Sequence, residues 1–528
     1  MKTLRRVLLV LASLITLIAL FYAVEGLRGM RVWRKTKADL EAKGEHFDWK
    51  SLAPPAVPDA ENFAMTPLLA PLLDYVRDPQ AKPGMAQPEP RDRVAHNRLT
   101  NLKFTGDNPP SQGIWRLGQP VDLAAWQAHY RALTNFPTAS VAGPPGADVL
   151  LALGKFDPEM NELRTAARRP HSQFHVHYED NFAALLPHLT VLRRFSQIAV
   201  LQANARLSLG QTEAALDNLR LAFRLADSIA AEPVLVSGLV QIAILELALQ
   251  PVWEGLARRQ WSDAQLIALE KQLSAVDMLA GYPRAIRGEQ AFGIKGIDFI
   301  RDNPRMAGAL LDDVGPEHSA TLMTFAPSGW LEQNKAFIVH LHQEFSLPVI
   351  DLEKRLFRFD VYQRAKEYEP KIKTAHPYRV LGGMLFPAVL NVAEKYAQSQ
   401  AALDLARVAC ALERHRLKHG AFPETTTALV PEFLPKLPHD LMSGTALKYR
   451  RTADGKFILY SVGLNETDDG GEVVLGTGKP ARPDFKRGDW VWSYEEKPAM
   501  EQARWNAGFP APERGRPVRK GVEAVEEP

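Results

Sequence analysis

Residues Val7 to Val24 form a run of 18 residues without a charge, VLLVLASLITLIALFYAV, behind the short cationic tail MKTLRR. A helix rises about 1.5 Å per residue, so the run reaches about 27 Å, which matches the hydrocarbon core of a bilayer. A cleavable signal has a shorter apolar region, about 7 to 15 residues, and ends in small residues of A-x-A type. Here the run closes on Phe21-Tyr22-Ala23-Val24-Glu25-Gly26, which offers cleavage only after Gly26. An uncleaved single-pass anchor is therefore favoured. Lys2, Arg5 and Arg6 precede the run, while Arg28, Arg31, Arg34, Lys35 and Lys37 follow it, so counting cations on the two sides does not orient it. A short cationic tail before a first span fits an N-in signal anchor with the body outside the cytoplasm, in the periplasm. Residues 28–43 then read as a solvated helical stalk, with a basic helix lying on anionic headgroups as the alternative.

The rest of the chain is long enough for several domains, and its charge is nearly balanced: 64 Lys plus Arg against 61 Asp plus Glu in 528 residues. No global field draws it to nucleic acid. The single cysteine, Cys410, excludes an intrachain disulfide framework and a multi-cysteine zinc site. From Ala53 to Arg93 nine prolines occur in 41 residues. Proline fixes φ and removes a donor, so this stretch reads as an extended wrap with short helical pieces, one of them beginning at Thr66 as N-cap with Pro67 behind it. Its apolar residues predict that it docks on the body.

The middle of the chain has the helical period. Leu192, Phe195, Ala199, Ala203 and Leu207 recur at spacings of 3 and 4, Gly210 stops the pattern, and Thr212 is expected to cap a second helix bearing Leu216, Leu219, Phe223 and Ala226. Two amphipathic helices joined so tightly pack antiparallel. Ala205 to Asp217, ARLSLGQTEAALD, resembles the centre of a tetratricopeptide repeat, although no 34-residue period follows. Further helix is expected from Pro233 to Arg259 with a break at Pro251, after a capping box at Ser262 to Gln265, and around 284–301, 330–356 and 391–418. No βαβ alternation, G-x-G-x-x-G or G-x-S-x-G occurs, which disfavours Rossmann and hydrolase sheets.

Near the C-terminus the period changes. A helix from Ala401 ends at Gly420, Leu429 to Leu434 reads as a short helix, and Ala446–Arg450 and Lys456–Val462 alternate as strands around the turn Asp454-Gly455. A third strand is expected from Asp489 to Tyr494. The motifs ALERHRLKHGAFP (411–423), ALVPEFLP (428–435), LKY (447–449), YSVG (460–463), DDGG (468–471) and GDW (488–490) together resemble the C-terminal region of the major pseudopilins of type II secretion systems, over residues 400–494. The resemblance implies a small α+β module with an antiparallel sheet and a Ca²⁺-binding loop, and carries Asn465, Asp468, Asp469 and Asp489 as ligands. The N-terminus lacks the Gly-Phe-Thr-x-x-Glu processing site of pseudopilins, so the chain looks like a borrower of that fold and not a pilus subunit. Anchor, wrap, helical body and module together also resemble membrane-anchored protein families of Planctomycetes and Verrucomicrobia, a likeness that implies no activity. Independently of the resemblance, carboxylates on a sharply turning Gly-Gly loop suit a hard cation, and a solvated acidic turn is the plainer alternative.

Other chemistry is thinner. His171, His175 and His177, followed by Glu179 and Asp180, form the densest histidine cluster, with His188 beyond it. In extended chain His175 and His177 share a face that suits zinc, but a third ligand is not spelled out, and ordinary loop histidines are the simpler reading. His415 and His419 suit the cationic end of a helix. Cys410 lies on an apolar stripe, where a buried, unreactive thiol is expected. Arg287, Glu289 and Trp330 read as packing and capping residues in preference to a groove lining. The sequence thus predicts a mainly α protein: an anchor (1–27), a stalk and wrap (28–119), an irregular helical-repeat body (120–395), a pseudopilin-like module (396–495) and a disordered tail (496–528). Its expected role is non-enzymatic binding or scaffolding among cell-envelope proteins. The rival is a metal-dependent hydrolase with its site at His171–Asp180.

Overall fold

The apolar run is one half of a much longer helix, α1 (Lys2–Glu41). The computed structural model describes residues 2–77, 88–303, 326–372, 376–478 and 482–493; the predicted tail 496–528 and part of the wrap lie outside them. Along the run the side chains face away from protein, as Leu8 at 57% and Leu17 at 63% exposure show, and burial begins at Glu25, 7% exposed. A long apolar helix that is exposed along its run and meets the body only near the end of it, from Phe21 and Glu25 onward, is compatible with a membrane anchor or a signal sequence.

The wrap docks as expected, with Phe63, Leu69 and Leu72 buried. Its local structure differs, because Pro67 and Pro71 stand four apart and Pro71 has no N–H for the Pro67 carbonyl. In place of one helix capped by Thr66 there are 3-10 turns at Phe63–Met65 and Ala70–Leu72. Tyr75–Val76 (β1) then pairs with Glu89–Pro90 (β2). Four short helices follow: α2 (Arg93–Thr100), α3 (Leu123–Arg131), α4 (Pro145–Leu153) and α5 (Asp157–Ala166).

The expected hairpin is present as α6 (Pro187–Ser208) and α7 (Thr212–Asp227), joined at Gly210, whose φ of 71° only glycine adopts without strain. Thr212 does not cap α7 through its side chain; its hydroxyl instead accepts from Gln265 Nε2 at 3.0 Å. Next, α8 (Leu235–Ala257) runs straight through Pro251, where a break was expected. A mid-helix proline costs about 3 kcal/mol. Burial of Leu249, Val252, Trp253 and Leu256 around it offsets that loss. The capping box forms as read: Ser262 N donates to Gln265 Oε1 at 3.0 Å and Gln265 N to Ser262 Oγ at 3.3 Å, opening α9 (Asp263–Ser274).

Beyond α10 (Met278–Asp302), α11 (Ser328–Leu341) is shorter than its apolar pattern. It gives way to a π turn at His342–Ser346, and the hairpin Ile350–Asp351 (β3) with Leu356–Phe357 (β4) replaces the rest, because Pro348 cannot donate to a continuing helix. After α12 (Phe359–Ile372) comes α13 (Val380–His419), forty residues long, stopped at Gly420 with φ 79°.

From there the chain builds small antiparallel sheets. Lys448–Arg451 (β5), Phe457–Ser461 (β6) and Trp490–Trp492 (β9) are ordered β5-β6-β9, and Val473–Leu475 (β7) pairs with Pro483–Gly488 (β8), a strand pair beyond the three strands read from the sequence. The helix expected at 429–434 is a 3-10 turn at Thr426–Leu429. One hydrophobic core runs from Phe63 through the helices to Trp492. The Trp115 and Trp492 rings meet with centroids 4.9 Å apart, tilted 41° to each other, and Trp253 Nε1 donates to the Ser493 carbonyl, so the sheet is seated on α8.

Candidate functional site

Pairing of β6 with β9, Ser461 opposite Trp490, brings the start of β9 against the Gly463–Glu472 loop. Asp489 enters there, 4% exposed, and its carboxylate accepts from Gly471 N at 2.6 Å and Asp469 N at 3.4 Å. Burial first, and then the nearby Asp469 and Asp468, push the Asp489 carboxyl above its ordinary range. Gly471 has φ 87°, and a Cβ there would meet Ile458 Cγ2 at 2.7 Å, so only glycine lets the loop close over Asp489. The four residues expected to hold calcium do share this loop. As they stand they do not close a ligand shell. Asn465 offers Nδ2 to Asp469 Oδ2 at 2.8 Å, and Asp468 is turned to the Tyr460 hydroxyl at 2.8 Å and to Lys448 Nζ at 3.2 Å. The Tyr460 hydrogen bond leads the contacts that hold the Asp468 carboxyl low. Among the described residues no group of three or more His, Cys, Asp and Glu stands where it could hold a metal.

The histidines disperse. His171 pairs with Glu61 at 3.8 Å and His177 with Glu179 at 3.2 Å, while His188 is fully buried, bonded to Glu232 at 2.9 Å and stacked on Phe174 at 4.4 Å. His175 and His177 line a cleft of about 420 Å³ beneath the wrap together with Asp74 and Asp92. Those carboxylates are engaged: Asp74 accepts from Arg91 Nε at 3.0 Å, and Asp92 caps α2 through Ala95 N at 2.9 Å. Asp180 is bonded to Arg77 at 2.5 Å. His415 Nδ1 meets the Ala421 carbonyl at 3.0 Å. Cys410 is fully buried, and that burial pushes its thiol far up, out of the nucleophilic range.

The most constructed polar site is the joint between α1 and the body, which sequence reasoning missed. Here α1 crosses α11 at two glycines. A Cβ on Gly29 would lie 2.1 Å from the Gly329 carbonyl oxygen, and one on Gly329 would lie 1.8 Å from the Glu25 carbonyl oxygen. Glu25 accepts from Trp330 Nε1 at 3.1 Å, Arg28 lies 5.3 Å over the Tyr378 ring, and Trp330 meets that ring edge-on at 6.2 Å. Higher up, Lys335 is 4% exposed between Asp298 at 2.9 Å and Glu332 at 2.8 Å and lies 5.0 Å over the Trp33 ring. Arg287 is neither a cap nor a groove lining: it clamps Glu45 with two bonds of 2.7 and 2.8 Å, fastening the segment after α1 to α10. The available signal was Gly26 and Gly29 just past the apolar run, small residues that admit a close helix partner. Compared with protein families, curated proteins and solved structures, the chain shows no match.

Proposed function

We propose that the chain is a membrane-anchored binding or scaffolding component of the cell envelope, with its body outside the cytoplasm. The observation that supports it best is the continuity of α1, which leaves the apolar run and enters the body's packing without a break at Glu25, Gly26 and Gly29. A flexible tether would let the body tumble. A continuous helix with a glycine crossing, a buried carboxylate and an ion network holds one face of the body toward the bilayer, which suits a component that presents surfaces to partners. The tetratricopeptide-like hairpin and the pseudopilin-like module are the candidate partner surfaces within this reading, and the acidic loop is its candidate calcium site. In this chain α13 packs on α8, α9, α10, α11 and α12 of its own body, which favours the borrowed-fold reading.

The test is topology and extraction. The protein should resist alkaline carbonate, dissolve in detergent, and lose its body to protease added to intact spheroplasts while an anchored stub survives. Release by carbonate defeats the anchor, and protection until lysis reverses the orientation.

A further inference from the structure

We propose that the body itself enters the lipid headgroup layer, through a lip made by Ser328–Trp330 and His376–Tyr378 beside the exit of α1. The inference rests on the reading of Val7–Val24 as a membrane span and adds a second, monotopic contact about 300 residues away in sequence. The depth of the lip follows from its contacts. Phe21 belongs to the apolar run, three residues before its end, which is about 4.5 Å along the helix. The Trp330 ring meets the Phe21 ring edge-on with centroids 6.4 Å apart. On the same turn of α11, a Cβ on Gly26 would stand 3.8 Å from Ser328 Oγ, and one on Gly329 would stand 3.0 Å from Gly26 Cα. Gly26 is two residues past the run, about 3 Å along the axis. The first turn of α11 is thereby fixed at the level where the hydrocarbon ends, and the headgroup layer occupies about 5 to 8 Å beyond it.

The side chains at that level have the chemistry of the layer. Tryptophan and tyrosine favour it because each has an apolar ring and a polar tip, and Trp330 and Tyr378 are half-buried there, with Tyr22 of α1 at 40% exposure. The His376 ring lies 5.0 Å from Tyr378 and is exposed. Arg28, four residues past the run and so about 6 Å above it, is at phosphate depth with 58% of its side chain exposed. The partner is the phospholipid headgroup layer, because the crossing at Gly29 and Gly329 leaves this face no freedom to turn elsewhere.

Nitroxide labels read the depth in full-length protein reconstituted into nanodiscs of phosphatidylcholine and phosphatidylglycerol. Single substitutions Leu14→Cys, Ser328→Cys and Lys35→Cys place labels in the span, on the lip and about 16 Å beyond the run, with the buried Cys410 left in place and the unsubstituted protein as the blank. Accessibility to oxygen against a water-soluble nickel reagent should rank the label at 328 between those at 14 and 35. His376→Cys gives the same reading from the other side of the lip if the first variant fails to fold. A label at 328 or 376 as water-accessible as the one at 35, with the label at 14 in lipid, overturns the lip and spares the anchor. A water-accessible label at 14 overturns both.

Discussion

His342 shows how one residue can report on the interior. It is buried at the turn after α11, with Nδ1 3.2 Å from Ser346 Oγ, and burial lowers its pKa from about 6.5 to about 4. The neutral ring is therefore the folded form. As pH falls through 6.5 the unfolded chain gains a proton that the fold refuses, so stability drops until pH 4 and the loss then levels off. At pH 5 the cost is about 2 kcal/mol. His342→Leu should flatten this part of the acid dependence, read as the difference in denaturant midpoint between pH 7 and pH 5 in detergent; an undiminished difference would place the acid sensitivity elsewhere. Residue chemistry of this kind was only partly legible in the sequence. Asp468 and Asp469 could be read as neighbours from the Gly-Gly loop, and Asp489 was joined to them only by the pseudopilin resemblance; the turn of Asp468 toward Lys448 depends on the register of β5 against β6, which no local pattern states. Glu25 looked like the end of a hydrophobic run, and its partner Trp330 lies far along the chain.

Among the elements, helices set by local periodicity agree with the sequence reading, and those decided by distant packing do not. The hairpin α6–α7 and the capping box of α9 are local and were legible. The passage of α8 through Pro251 and the early start of α13 at Val380 depend on neighbours that supply burial. Phe223, 3% exposed in the core of the hairpin, tests the first class: Phe223→Ala should destabilise by about 3 to 5 kcal/mol. A full chain with an unchanged melting temperature would mean that the α7 face is misassigned. The glycine crossing tests the contact between α1 and α11. Gly329→Leu places side-chain carbon against the Glu25 carbonyl and should part α1 from α11, exposing the Lys43–Asp48 segment to protease in membranes while the protein stays anchored; an unchanged digestion pattern would show that the close approach is dispensable. For the acidic loop, calcium needs Asp468 to leave Tyr460 and Lys448. Millimolar calcium should then raise the melting temperature of the full chain by mass action, and more so in Lys448→Ala, which frees that carboxylate. Equal melting with calcium and with chelator in both proteins would leave the loop as a turn held by its own hydrogen bonds.

At the scale of the whole molecule, the sequence reading separated a helical body from a C-terminal module near residue 396, where the character of the pattern changes. The packing crosses that line. Residue 396 falls inside α13, whose Tyr396 meets Tyr282 of α10 at 5.3 Å, and a Cβ on Gly238 of α8 would strike the Tyr396 hydroxyl at 1.8 Å. Farther on, Trp492 lies against Trp115, and Arg116 reaches over the Phe485 ring at 4.9 Å while bonded to Glu246 of α8 at 2.8 and 3.0 Å. Composition and periodicity are properties of neighbouring residues, so they mark where the pattern changes and not where the core is interrupted. If body and sheet share one core, a cavity made at their contact must loosen both. Trp492→Ala removes a ring that is 1% exposed, at a cost of about 3 to 5 kcal/mol. Hydrogen exchange read by mass spectrometry should then rise in β6 and also across α8 and residues 115–117, which the substitution does not alter in sequence. Faster exchange confined to 448–493, with α8 unchanged, would show that the module unfolds by itself and that the contact with Trp115 and Trp253 couples nothing.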